Sequence, residues 1–221
     1  MWFASRPRLS DALRFAQYYH CHSLEDVPGL RRRRKFTTLI DLTRPLGEVF
    51  DAFSETTRYK IRRAERDGVE VTREPDLGNF AAFAKLEART LEQYWPHLVA
   101  TQAVIDDQLL VMHAHLVDPT ASRVALYKSV SYYNQLLESS KRNLIGRANR
   151  LLHFRDMARF KELGIETYDM GGIAKDTADP KLRAINDFKI GFAGVLREES
   201  NYISQPVIWW NWLIRRQGVS T

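Results

Sequence analysis

"RNLIGRANRLLHFRDMARFKELGIETYDMGGI" (residues 142–173) carries two periodicities in succession. From Arg147 to Leu163 apolar residues recur at three- and four-residue spacing, which predicts an amphipathic helix over 147–163 closed by Gly164. "ETYDMGG" (166–172) reads as a strand ending in two glycines. Upstream, "SRVALYKSVSYY" (122–133) is a further strand, so strand, loop 139–148, helix and strand form a βαβ unit. The loop carries no acid and sets Gly146 just ahead of the helix. Its spacing, Asn143, Ile145, Gly146, Arg147 and Ala148 in the form N-x-x-G-x-A, leaves the first helical N–H groups without a capping side chain. Those donors and the positive helix end suit an anion such as a diphosphate; a plain strand-to-helix turn needing a glycine is the alternative.

Outward from this unit, the pattern alternates irregularly. Residues 1–35 read as a basic extension, with a short helix around Asp11 to Tyr19 and an irregular connector ending in "RRRRK" (31–35). "FTTLIDLT" (36–43) predicts a strand, 46–67 a helix with a break near Ser54, and "VEVTRE" (69–74) another strand. Leu77, Phe80, Phe83, Ala84 and Leu91 give helical spacing over 76–94. "LLVMHAHLVD" (109–118) forms a hairpin with 122–133. Residues 182–192 are helical, "VLREESNYISQ" (195–205) is extended, and 206–216 is an aromatic-rich helix. The expected fold class is α/β of the α+β kind: one domain over 36–221 with a mixed, mostly antiparallel central sheet flanked by helices.

Bulk properties set limits. The 221 residues carry a net charge of +6, which favours anionic ligands such as nucleotide phosphates, tRNA or acidic membrane surfaces. Cys21 is the single cysteine, so neither an intramolecular disulfide nor a cysteine zinc cluster can form. Without an apolar run of eighteen residues or a signal-peptide core near Met1, a cytoplasmic protein is expected.

Three further stretches, with the loop, resemble in order the Fem-type branch of the GNAT acyltransferase superfamily, which includes the peptidoglycan-bridge aminoacyltransferases. "TTRYKIRRAERDGVEV" (56–71) is similar to its arginine-rich helix and strand. "YDMGGI" (168–173) is similar to its aromatic-Asp-x-Gly-Gly strand end, and "INDFKIGFAG" (185–194) to its phenylalanine-lysine-x-x-phenylalanine-x-glycine signature. Together they span roughly 36–204 and match the second of the two GNAT-like domains usual in that branch. Asn143 stands where the diphosphate loop usually has Gln or Arg, and FAG where the branch more often has FGG. The resemblance implies direct acyl transfer, without a covalent intermediate, from acetyl-CoA or another acyl-CoA to a small-molecule or nucleotide-linked amine. Aminoacyl-tRNA as donor, and a catalytically silent anion-binding module, are the alternatives.

Such a transfer needs a proton acceptor, an oxyanion stabiliser and a proton for the leaving group. Asp169, before the two glycines, is a candidate base or a turn-capping structural carboxylate. Tyr168 is a candidate leaving-group donor or a core aromatic. His113 and His115 share one strand face, as a base pair or a polar patch, with His115 next in line after Asp169. His153 is expected to pack on the sheet. No metal site is expected from local spacing. Lys189, between Phe188 and Phe192, could neutralise a phosphate or an oxyanion, or snorkel to solvent. Tyr127, Ser129 and Ser131 share a strand face, a candidate lining for the acceptor or pantetheine cleft. Arg58 and Arg62, with Arg66, form a basic row for an anionic acceptor or tRNA, or a solvated face. "WWNW" (209–212) is expected to cap the core or face a second copy in a homodimer, although tryptophan also favours membrane interfaces.

Overall fold

A computed structural model describes residues 3–74, 77–85, 97–131 and 138–216. Eight strands join in one sheet: β1 (Gln17–Cys21), β2 (Leu30–Asp41), β3 (Glu70–Glu74), β4 (Leu98–Ile105), β5 (Gln108–Asp118), β6 (Arg123–Ser131), β7 (Thr167–Ile173) and β8 (Val195–Ser204). Their order is β1-β8-β2-β7-β6-β5-β4-β3. β1/β8, β3/β4, β4/β5 and β5/β6 are antiparallel, and β6/β7 is parallel. The mixed, mostly antiparallel sheet expected of the sequence is therefore present. Among the described residues the helices are α1 (Leu46–Ala52), α2 (Glu55–Arg66), α3 (Leu77–Phe83), α4 (Ser139–Glu162), α5 (Pro180–Ile190) and α6 (Gln205–Arg216).

The chain divides into two compact units. The larger, Thr38–Gly171 with Thr177–Val195, holds a continuous apolar core. Ile61 and Ala64 of α2 are buried there with Ile145, Ala148, Leu151, Leu152, Met157 and Phe160 of α4. The break foreseen at Ser54 separates α1 from α2, because the Ser54 hydroxyl accepts from Thr57 N–H at 3.2 Å and caps α2. Gly191 closes α5 against this cap: its carbonyl accepts Ser54 N–H at 2.9 Å, and a Cβ there would lie 2.6 Å from Thr57 Oγ1. β4 and β5 turn through Asp106 and Asp107, both at positive φ (47° and 60°), which is the two-residue hairpin geometry matching strand twist.

The smaller unit, Met1–Thr37 with Gly172–Asp176 and Leu196–Thr221, corrects two expectations. The helix expected at Asp11–Tyr19 is a 3-10 turn over Leu9–Leu13 followed by β1. The "RRRRK" connector is a stretch of β2, held by alternating partners. Arg34 makes a two-pronged pair with Glu198 at 2.7 and 2.9 Å, Arg32 Nε donates to Ser200 Oγ at 3.0 Å, and Lys35 Nζ meets His20 Nε2 at 2.6 Å. Opposite partners on the neighbouring strand outweigh the repulsion within the basic run. Cys21 is buried, as an inert thiol should be.

A larger correction concerns α4. It begins at Ser139, not Arg147, so residues 143–148 are helix and not loop. The apolar stripe that runs back from Leu152 through Ala148 to Ile145 continues the buried face by two turns. Burial of that stripe outweighs the roughly 1 kcal/mol that Gly146 costs inside a helix. Of the helical spacing over 76–94, α3 accounts for Leu77–Phe83, and residues 86–94 lie outside the described residues, as do Tyr132 and Tyr133 of the expected strand 122–133.

Candidate active site

β6 and β7 pair over three residues only, Arg123 with Thr167, Val124 with Tyr168 and Ala125 with Asp169. Beyond Ala125 the pairing ends while both strands continue, so the sheet opens at its middle. Two local features account for this. The β5/β6 register passes from Ala114–Lys128 to His115–Leu126, leaving Tyr127 as the extra residue of a bulge. A bulge bends its strand and ends pairing nearby. On β7, Gly171 takes φ +80°, a left-handed conformation that favours glycine.

Lys189 of α5 comes to this opening. A Cβ built on Gly171 would lie 3.5 Å from Lys189 Nζ and 3.4 Å from the Leu126 carbonyl oxygen. The surrounding signature has a packing reason. Phe192 is buried, with ring centroids 5.1 Å from Phe53 and 5.5 Å from Phe188. A Cβ on Gly194 would meet Thr38 Cγ2 at 2.5 Å and the Leu39 carbonyl at 3.0 Å, so only glycine fits against β2. Ala193 between them stands at φ +53°.

On the α4 side of the sheet lies a buried polar network. His113 Nδ1–H donates to Asp156 Oδ2 at 2.8 Å, and His113 Nε2 meets the Asn149 amide at 2.8 Å. The Tyr168 hydroxyl lies 3.0 Å from His115 Nε2 and 2.8 Å from His153 Nδ1, so it donates to one imidazole and accepts from the other. Burial pushes His115 down to about 4, with Asp156 opposing and His113 and Arg159 adding to the shift. Burial, then His113, His115, Lys189 and Arg150, holds His153 well below its ordinary value. Burial, then Asp156 and Asp169, drives the Tyr168 phenol well above its own. At neutral pH His115 and His153 are neutral and Tyr168 is protonated, which suits a hydrogen-bonded chain.

The expected residues thus separate into groups. His115 and Tyr168 meet directly. Asp169 is engaged elsewhere: it is buried, accepts from Arg123 Nη2 at 2.7 Å and from Gly171 N–H at 2.7 Å. Lys189 stands at the opening. Tyr127 is the bulge residue, so the period-two face expected for Tyr127, Ser129 and Ser131 does not continue through it; Ser129 and Ser131 oppose His113 and Val111. Arg58 donates to the Asp51 carbonyl, and Arg62 lies over the Phe50 ring at 5.2 Å, so both also tie α2 to α1.

Of the expected diphosphate loop, Asn143 is exposed on α4, Ile145 and Ala148 are core residues, and the Gly146 carbonyl accepts from Arg150 Nη1 at 2.9 Å. Their backbone N–H groups lie inside a helix and cannot cradle an anion. Lys60 is pushed below its ordinary value by burial and then by the charges of Arg150 and Arg147. Arg147 also pairs with Asp67 at 2.8 Å, and Arg150 lies 4.5 Å over the Phe188 ring, next to Lys189.

Asn149, Asp156 and Arg123 escaped the sequence reading, whereas His153 is buried, as its expected packing on the sheet requires. Asn149, His153 and Asp156 recur at i, i+4 and i+7 on α4, a polar line within an apolar face, and that spacing was the available signal. His113, His115 and Asp156 offer donor atoms within 4.8 Å of one another, close enough to hold a cation. The histidine nitrogens nearest the carboxylate are instead bonded to Asp156 and Tyr168. Asp156 also lines a cleft of about 520 Å³ with Arg73, Arg155 and Arg159, whose charges oppose a further cation.

No protein-family model matches the sequence, and no curated protein matches it. Solved structures share its fold. FemX superposes with a TM-score of 0.56 at 15% identity, over 79% of this chain and 63% of that one. The C-terminal domain of a putative lysylphosphatidylglycerol synthetase from Agrobacterium fabrum gives 0.53 at 15% identity, over 90% and 70%. The L-PGS of Bacillus licheniformis gives 0.52 at 12%, over 86% and 67%. The chain therefore has a GNAT-like fold of the Fem type, and it spans less than two thirds of the length of FemX.

Proposed function

We propose that this protein is an acyltransferase that moves an activated acyl group onto an amine, with the reacting carbonyl in the opening between β6 and β7. The observation that carries this reading is the Lys189 ammonium beside Gly171, where the parallel pair has parted. The amine nitrogen attacks the acyl carbon, and the tetrahedral oxyanion forms opposite the Lys189 cation. The carbon–sulfur bond of a thioester donor then breaks, and the proton lost by the amine passes to the departing thiolate. A positioned cation at an oxyanion contributes about 10²–10³ in rate when comparable hydrogen-bond donors are taken as the guide. Asp169 acts as a positioning residue: it binds Arg123 and the Gly171 N–H and so fixes the strand end at which Lys189 sits. Tyr168, with His115 and His153, supports the same strand from the opposite face.

The donor in this reading is acetyl-CoA or another acyl-CoA, its phosphates held by Lys60, Arg147 and Arg150 rather than by a backbone loop. A second donor, aminoacyl-tRNA, is favoured by the arginines along α2 and by the fold shared with FemX. The acceptor is a small-molecule or nucleotide-linked amine. Mass spectrometry of reactions with acetyl-CoA or with aminoacyl-tRNA, each with a panel of amines, tests both. An amide product from either donor supports acyl transfer and identifies the donor. Absence of any amide, with folded protein and no binding of either donor, removes the proposal.

A further inference from the structure

The smaller unit exposes an apolar surface that a water-soluble face does not require. On α6, Trp209, Trp210 and Trp212 are 70%, 54% and 50% exposed, and across a groove of about 390 Å³ Leu13 and Phe15 are 89% and 70% exposed. Leu213 completes the patch, and Phe15 meets Trp210 edge-on with ring centroids 6.3 Å apart. The expectation that "WWNW" caps the core is corrected here: Val207 is the residue of α6 that turns into the unit, and the tryptophans point away. Contiguous exposed patches of this kind mark interaction sites.

The chemistry of the rim selects the occupant. Arg14 stands between Leu13 and Phe15 in the sequence, 4.0 Å from Asp11, and the sequence from 205 to 221 carries two arginines and no acid. Asp11, the acid of the 3-10 turn, is buried and accepts from the Tyr18 hydroxyl. A second copy docked here about a two-fold axis would bring each positive rim onto itself. An anionic lipid surface meets both features: indoles favour the headgroup level, where an apolar ring and a polar N–H are both satisfied, and arginines pair with lipid phosphates. α6 is too short to cross a bilayer, and no described helix is long and apolar enough to do so. We infer that α6 and the 3-10 turn form a peripheral docking surface for anionic phospholipid membranes, the helix lying in the plane of the headgroups.

Vesicle co-sedimentation of the full chain tests this, using phosphatidylcholine alone or with about 30% phosphatidylglycerol. Binding at least tenfold stronger to the anionic vesicles, with a blue shift of tryptophan emission and quenching by brominated lipid, is expected; quenching needs no variant. Replacing Trp209, Trp210 and Trp212 together by Ser should reduce binding at least tenfold, and Arg14→Glu by about fivefold or more, the worth of one basic charge near such a surface. Two results overturn the inference. One is a parent protein that ignores anionic vesicles. The other is a parent that is dimeric by light scattering, binds no vesicle, and becomes monomeric in the triple Ser variant, which would assign the patch to a second copy.

Discussion

Acidification from neutral pH should destabilise this protein well before its carboxylates titrate, because His115 is buried as the neutral imidazole. Its folded-state pKa is about 4, against 6.5 for the free side chain. The unfolded chain therefore takes up the proton first as pH falls. Stability is complete above about 6.5 and is lost progressively toward about 4. Between pH 6.5 and about 5, the loss from His115 alone is about 2 kcal/mol, at roughly 1.4 kcal/mol per unit. His153, displaced in the same direction by burial, adds to it. Urea unfolding followed by tryptophan fluorescence across this range measures the slope. His115→Gln keeps a polar group near Tyr168 and removes the titration, so its slope should be shallower by about 2 kcal/mol over the interval. A parent whose stability is flat or rises on acidification, or a His115→Gln variant with the parental slope, would refute the reasoning.

Other outcomes follow from the same geometry. Tyr168→Phe leaves two buried imidazole nitrogens without their hydroxyl partner and should lower unfolding stability by about 2–4 kcal/mol, read as a urea midpoint shift at constant slope. Ala193→Gly relieves a left-handed backbone conformation and should raise stability by up to about 1 kcal/mol, measured the same way; a loss would mean the methyl group packs usefully. Charge reversal of Lys60 and Arg147 together should weaken donor binding at least tenfold by calorimetry while turnover at saturating donor stays within about threefold, and unchanged affinity would remove the cation cluster from the donor site.

What the sequence made readable depended on how local each signal is. The period-two runs at 109–118 and, within the described residues, 122–131, and the helix break at Ser54 are set by neighbours a few residues apart and appear where expected, whereas the strand expected to end at Gly172 runs to Ile173. β4 escaped because its hairpin turns through Asp106–Asp107 rather than an Asn-Gly or Asp-Gly pair, so nothing marked "LVATQAVI" as a partner of β5. The start of α4 was misplaced because Gly146 looked like a boundary, whereas the buried stripe of Ile145 and Ala148 against α2 decides it, and that contact is tertiary. The same holds for the site. Asp169 was legible as a carboxylate capping the turn at Gly171, but its pairing with Arg123 was not, since that residue lies forty-six positions away in sequence. The bulge at Tyr127, which opens the sheet, depends on registering β6 against β5 and leaves no mark in composition.

The role of Lys189 is open to one direct measurement. Lys189→Met preserves length and apolar packing between Phe188 and Phe192 while removing the cation from the opening. Steady-state acyl transfer should fall about 10²-fold or more in kcat, with the donor Kd within about threefold of the parent, because the charge acts on the oxyanion and not on the bound ground state. A variant with parental kcat would contradict placing the chemistry between β6 and β7.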